Sequence, residues 1–171
     1  MADLKLQKEA LLLEAYLPQI EFQDSSNREG HAAKVYFNAL FGKTFSCREE
    51  HPLNAAMNYG YSILLSAFNR EISAAGYITE LGIHHDNVFN HFNLSSDLME
   101  PFRILVERKI VELEPKELDT ETKYALVDLL NSNVEIGHTN QTVLNAIRIY
   151  LTSVFAALNS EDADSIRFYQ V

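Results

Sequence analysis

Apolar side chains recur along this chain at spacings of three and four, the period of an α-helix, and almost nowhere alternate at two. Ala33, Tyr36, Phe37 and Leu40 form one such stripe, and Met57, Tyr61, Leu64, Leu65 and Phe68 form a longer one. Turn residues divide the stripes. Pro18 ends a first helix over 4–16, because the residue ahead of a proline is pushed out of the helical region. Gly42 suits the stop of a second helix over 26–40, and Pro52 opens a third that runs toward Gly76, at a position where its missing N–H costs little. Further helices are predicted over 97–111 and 120–130, with a last one ending near 158. The segment after Gly76 reads as a loop, "NSNVEIGHTN" as a turn, and 159–171 as a flexible tail, frayed or bound to a partner. The expected architecture is all-α: a single multi-helix domain over 1–171, with no linker, repeat or low-complexity segment dividing it.

Composition narrows the class. The chain has 171 residues, 47% of them apolar, enough for a real core. Fourteen Lys and Arg stand against 24 Asp and Glu, a formal net charge of −10, which argues against simple electrostatic binding of nucleic acid. The excess is uneven, 10 basic and 14 acidic residues in 1–110 against 4 and 10 in 111–171, so a local basic strip in the first part stays open. Cys47 is the only cysteine, which excludes an internal disulfide or a thiolate zinc cluster and fits a reducing compartment. No uninterrupted apolar run approaches the length of a membrane span, and the expected location is the bacterial cytoplasm, away from membranes.

The polar positions that carry chemistry lie at the predicted helix starts and in the loop between them. Ser26-Asn-Arg-Glu29 has the spacing of a capping box, and Asp97-Leu-Met-Glu100 an analogous one, so both carboxylates have a purely local reading. His84 and His85 read equally as solvated loop residues and His91, between Phe89 and Phe92, as a core-edge histidine; Asn87, Asn90 and Asn93 are ordinary loop formers. The alternative is convergence of two carboxylates and one imidazole on a divalent cation. Oxygen donors favour Mg²⁺ or Mn²⁺, and an imidazole shifts the preference toward Mn²⁺. Arg103 shares a helix face with Glu100, Arg28 and Lys34 flank Glu29, and Lys43, Arg48 and Arg70 extend the basic track, although most surface arginines are only solvated charges.

The blocks "NREGHAAKVYFNALFG", "NAAMNYGYSILLSAFNREISAAGY" and "LGIHHDN", followed by "NLSSDLMEPFR", resemble in order the catalytic helical domain of the CRISPR-associated spacer-acquisition integrases, the Cas1 family, in its type II form. The resemblance covers most of 20–112. It implies a metal site made by Glu29, His85 and Glu100, with Asp97 as a further catalytic residue and Arg103 lining it. Arg28, Lys34, Arg48 and Arg103, read from their positions beside these carboxylates or along the basic track, are the candidate phosphate contacts. His85 fits the "HHDN" block best among the three loop histidines. The implied activity is a Mg²⁺- or Mn²⁺-dependent DNA endonuclease and integrase of antiviral defence, in which a protospacer 3′-hydroxyl attacks a phosphodiester of the CRISPR repeat by transesterification. The implied partners are DNA, the small Cas2 protein and other type II adaptation proteins, with homodimerisation through an N-terminal β-rich domain. A one-domain length leaves no room for that domain, so the expectation is a catalytic domain alone, unable to insert both ends. Two other classes compete: an inert helical assembly module, and a ferritin-like di-metal protein, for which only Glu135-Ile-Gly-His138 has suitable spacing.

Overall fold

The computed structural model describes residues 2–21, 24, 26–43, 45–46 and 50–170, so Cys47 and Arg48 lie outside the described residues. The chain packs as two compact units, Met1–Glu49 and Glu50–Val171.

In the first unit, α1 (Ala2–Glu14) packs against α2 (Arg28–Phe41). α1 stops two residues before the predicted end, and Pro18 falls in a short 3₁₀ turn, Leu17–Gln19. Gly42 closes α2 with φ 95°, a conformation that favours glycine, as its place after the last apolar residue predicts. Phe37 and Phe41 stack, and Phe45 meets Phe41 at a tilt with 4.8 Å between ring centroids.

The second unit is built around α3 (Pro52–Ala74), which packs against α4 (Asn93–Met99), α5 (Arg103–Leu113), α6 (Thr120–Asp128) and α7 (Val143–Ser160). Pro52 opens α3 as predicted, and His51 Nδ1 caps it by accepting the Leu53 N–H at 3.2 Å. Met57, Leu64, Phe68 and Ile72 project from α3 into the core, where Phe68 meets the Phe102 ring edge-on at 5.2 Å and Phe102 meets Tyr150 of α7 at 5.5 Å. α7 is long and apolar enough to cross a membrane, but half of it is buried against this core.

The helix predicted over 97–111 is two. α4 begins at Asn93, and Pro101 falls in a 3₁₀ turn, Glu100–Phe102, because proline cannot donate the N–H that a continuous helix needs there. The predicted turn "NSNVEIGHTN" is a β-hairpin: β1 (Asn133–Ile136) pairs antiparallel with β2 (Thr139–Thr142) across Gly137 and His138, both with positive φ, as a two-residue hairpin turn demands. β3 (Tyr169–Gln170) adds to the other side of β1, giving the order β2-β1-β3. Residues 159–171 therefore contain paired backbone, and Tyr169 is buried against Phe102, with ring centroids 4.6 Å apart. Among the described residues the fold is mostly helical, with one small three-stranded sheet.

Candidate metal and DNA site

The segment between α3 and α4 carries the histidines, and its shape depends on one carboxylate. Asp97, in the middle of α4, accepts backbone N–H bonds from Ile83 at 2.6 Å, His84 at 3.0 Å and His85 at 3.1 Å, and its Oδ1 also pairs with His85 Nδ1 at 2.5 Å. Its side chain is only 8% exposed. Burial alone would raise the carboxyl pKa, but the bonds from His84, the His85 ring and Ile83 outweigh it and hold the group below its ordinary range. An ionised carboxylate only accepts, so His85 Nδ1 must carry a proton, and in the neutral imidazole that tautomer has its free lone pair on Nε2. A carboxylate behind an imidazole is the arrangement that orients histidine ligands in metal sites and makes them more basic.

Two further residues shape the loop. At Gly82 an added Cβ would run into the His85 carbonyl and come within 2.9 Å of both Asn93 Cβ and Asp97 Oδ2, so no side chain fits. Asn93 is buried, and its Nδ2 donates to the carbonyls of Glu80 and Asn87, both at 3.0 Å. Sequence reasoning missed both roles: Gly82 was not singled out, and Asn93 read as an ordinary loop asparagine. The only available signal was the recurrence of Asn at 87, 90 and 93. Asn87 and Asn90 do make local turns, accepting from the N–H groups of Phe89 and Phe92.

Neither capping-box spacing forms a capping box. Asp97 lies inside α4 and bonds the preceding loop, not its own helix start. Glu100 opens the 3₁₀ turn and accepts from Arg103 Nη1 at 2.8 Å. In the first unit, Asn27 precedes α2 in a left-handed conformation, and the Asp24 carboxylate takes the N–H groups of Arg28 at 2.7 Å and Glu29 at 2.9 Å. The Glu29 carboxylate is thereby not needed as a cap, and the residue is exposed.

His85, Asp97, Glu100 and Arg103 belong to the second unit; Glu29, Arg28 and Lys34 belong to the first. His84 meets His85 edge-on at 5.7 Å, whereas His91 stands apart, 75% exposed, with Nδ1 3.5 Å from Glu80. Among the described residues of either unit, no three His, Cys, Asp or Glu side chains form a ready metal-holding group. The donor chemistry nevertheless fits a hard divalent ion: an oriented imidazole nitrogen at His85 and a half-exposed carboxylate at Glu100. Arg28 lies 5.7 Å from the Tyr16 ring centroid and is half-buried, Lys34 is exposed, and Arg70 is paired with Glu71. Glu135 and His138 sit on a strand and in its turn, so their spacing is not the one-face helical pair that a di-metal bundle requires.

Comparison with known proteins settles the lineage. The family described as CRISPR associated protein Cas1 matches residues 5–127, well over half of the chain. The chain belongs to the Cas1 family. The CRISPR-associated endonuclease Cas1 of Neisseria meningitidis serogroup C is 30% identical over 158 residues, covering 90% of this chain and 52% of that relative. Proteins named CRISPR-associated endonuclease Cas1 1 from Francisella tularensis subsp. novicida and Thermus thermophilus are 30% and 32% identical, over 62% and 53% of this chain and 38% and 31% of their own lengths. The chain thus spans about half the length of the Neisseria Cas1 and about a third of the other two.

Proposed function

We propose that this Cas1-family chain carries a metal-assisted site for DNA phosphoryl transfer, cutting phosphodiesters or, in spacer acquisition of a type II system, joining a protospacer 3′-hydroxyl to the CRISPR repeat. The observation that carries the reading is the Asp97 cradle, which holds the histidine loop and leaves His85 Nε2 as a directed donor. The family match and the endonuclease names of the relatives support it.

His85 and Glu100 are the proposed protein ligands in the second unit, and Glu29 is added on the family resemblance. A bound Mg²⁺ or Mn²⁺ would supply Lewis-acid stabilisation of the charge on a phosphoryl oxygen. Asp97 fixes the imidazole tautomer and keeps the loop in place. Arg103 donates to Glu100 and has further N–H groups in the same plane for a phosphate oxygen. Proposed partners are DNA and Cas2, as the resemblance implies.

The test is cleavage of a branched DNA with Mn²⁺, with and without chelator. Activity should require the ion and collapse in Glu29→Gln, Glu100→Gln and His85→Ala, while His91→Ala keeps it. Because neither glutamate is a cap, the Gln variants should lose less than about 1 kcal/mol of stability. Wild-type cleavage in chelator, or in both Gln variants, would defeat the reading.

A further inference from the structure

Beside Glu100, α3 and α5 cross closely enough that an added Cβ at Gly60 would collide with Val106. That contact sets the next residues, Tyr61 and Glu107, against each other, and the Tyr61 hydroxyl donates to Glu107 Oε1 at 2.7 Å. Glu107 is buried. Burial, and then the Glu107 charge, push the Tyr61 hydroxyl above its ordinary range, so it stays a donor. The Arg103 guanidinium lies over the Tyr61 ring, 4.2 Å from its centroid, and reaches sideways to Glu100. The result is a continuous series of contacts from a buried carboxylate to a half-exposed one.

We propose that Tyr61 and Glu107 are positioning residues that fix the Glu100 carboxylate through Arg103, an inference that rests on the reading of Glu100 as a metal ligand. A ring anchored at its hydroxyl cannot tilt, and a guanidinium stacked on it keeps its N–H groups in one plane. Arg103 engages Oε1 of Glu100, and the carboxylate so held would be presented to an ion in one orientation. Hydrogen-bonded partners of a ligating carboxylate commonly alter metal affinity by 10- to 100-fold.

The experiment is calorimetric titration of the purified chain with Mn²⁺, alongside nuclear magnetic resonance of the Arg103 side chain. Tyr61→Leu removes both ring and hydroxyl and should weaken Mn²⁺ binding about tenfold or more. Tyr61→Phe keeps the stack but loses the bond to Glu107, and should weaken it by a smaller factor, as should Glu107→Leu, which removes the acceptor of the hydroxyl. The exposed Tyr124→Phe is the control and should bind as wild type. The Arg103 Hδ resonances should be shifted upfield by the ring in wild type and Tyr61→Phe, and lose that shift in Tyr61→Leu. If Tyr61→Leu fails to fold, Tyr61→Phe decides. Unchanged or tighter Mn²⁺ binding in the folded Tyr61 variants overturns the inference, tighter binding meaning that Arg103 competes with the ion. Glu100→Gln separates the two levels: if it abolishes binding while the Tyr61 variants do not, only the positioning role fails. If Glu100→Gln binds normally, or wild type binds no Mn²⁺, the metal reading fails with it.

Discussion

Asp97 shows how one side chain organises the candidate site. It collects three backbone N–H groups of the loop and one imidazole. Because its folded pKa is depressed, its contribution to stability is fully present above the ordinary carboxylate value and is lost as pH falls through the depressed one. Amide exchange at Ile83, His84 and His85 should therefore keep its protection at neutral pH and lose it selectively in acid, ahead of the α3 core amides. Asp97→Asn should cost roughly 1.5–3 kcal/mol of loop stability, as expected for hydrogen bonds to a charged group, and should remove that selective acid response. Equal protection of the three amides in Asp97→Asn would contradict the account. The spacing of Asp97 and Glu100 suggested a cap because local pattern sees only near neighbours. The actual partners of Asp97 lie 12 to 14 residues upstream, beyond the reach of such a pattern. Glu29 and Glu100 were legible as residues of interest for the same limited reason: a carboxylate at a helix start stands out whether or not it caps.

Glycines decide two junctions between elements. Gly60 lets α5 approach α3 at Val106, which is fully buried and has no room to yield. Gly60→Ala should destabilise the second unit by about 1–3 kcal/mol, the usual cost of overpacking, seen as a lower urea midpoint. Gly82→Ala should leave the helical circular dichroism unchanged yet displace the histidine loop, and so abolish Mn²⁺ binding; wild-type affinity in that variant would show that the loop tolerates a side chain. The main helices were legible from apolar period and from Pro52 and Gly42. The hairpin was not, because its four-residue strands show burial alternation only on β1, where Val134 and Ile136 are buried while β2 stays largely exposed. The division into α4 and α5 was less visible still, since the period of the apolar residues runs on through Pro101.

At the scale of the molecule, the net charge of −10 means that DNA on the proposed site would be held by a few local cations against an unfavourable field. With Arg28 half-buried beside Tyr16, Arg70 paired with Glu71 and Arg103 sharing its N–H groups with Glu100, only a few of the described cations, Lys34 and the rest of the Arg103 fork among them, are placed to meet phosphates. The slope of log affinity against log salt should accordingly be shallow, about −2 to −4, from two to four phosphate contacts. A slope near zero in a filter-binding series would remove phosphate contact from the account, and a much steeper one would require a basic surface that these residues do not provide. The charge balance is read directly from composition, but the tertiary ties of the last strand were hidden, because a two-residue strand has no period to read. Tyr169 of that strand donates its hydroxyl to the carbonyl of Pro101, next to Glu100, at 2.8 Å. The two residues are 68 positions apart. Synthesis at about 5–20 residues per second would therefore leave the Glu100 turn without this tether for roughly 3–14 s after Pro101 is made. A nascent chain stalled within that interval would carry every proposed ligand and still lack the bond that steadies one of them.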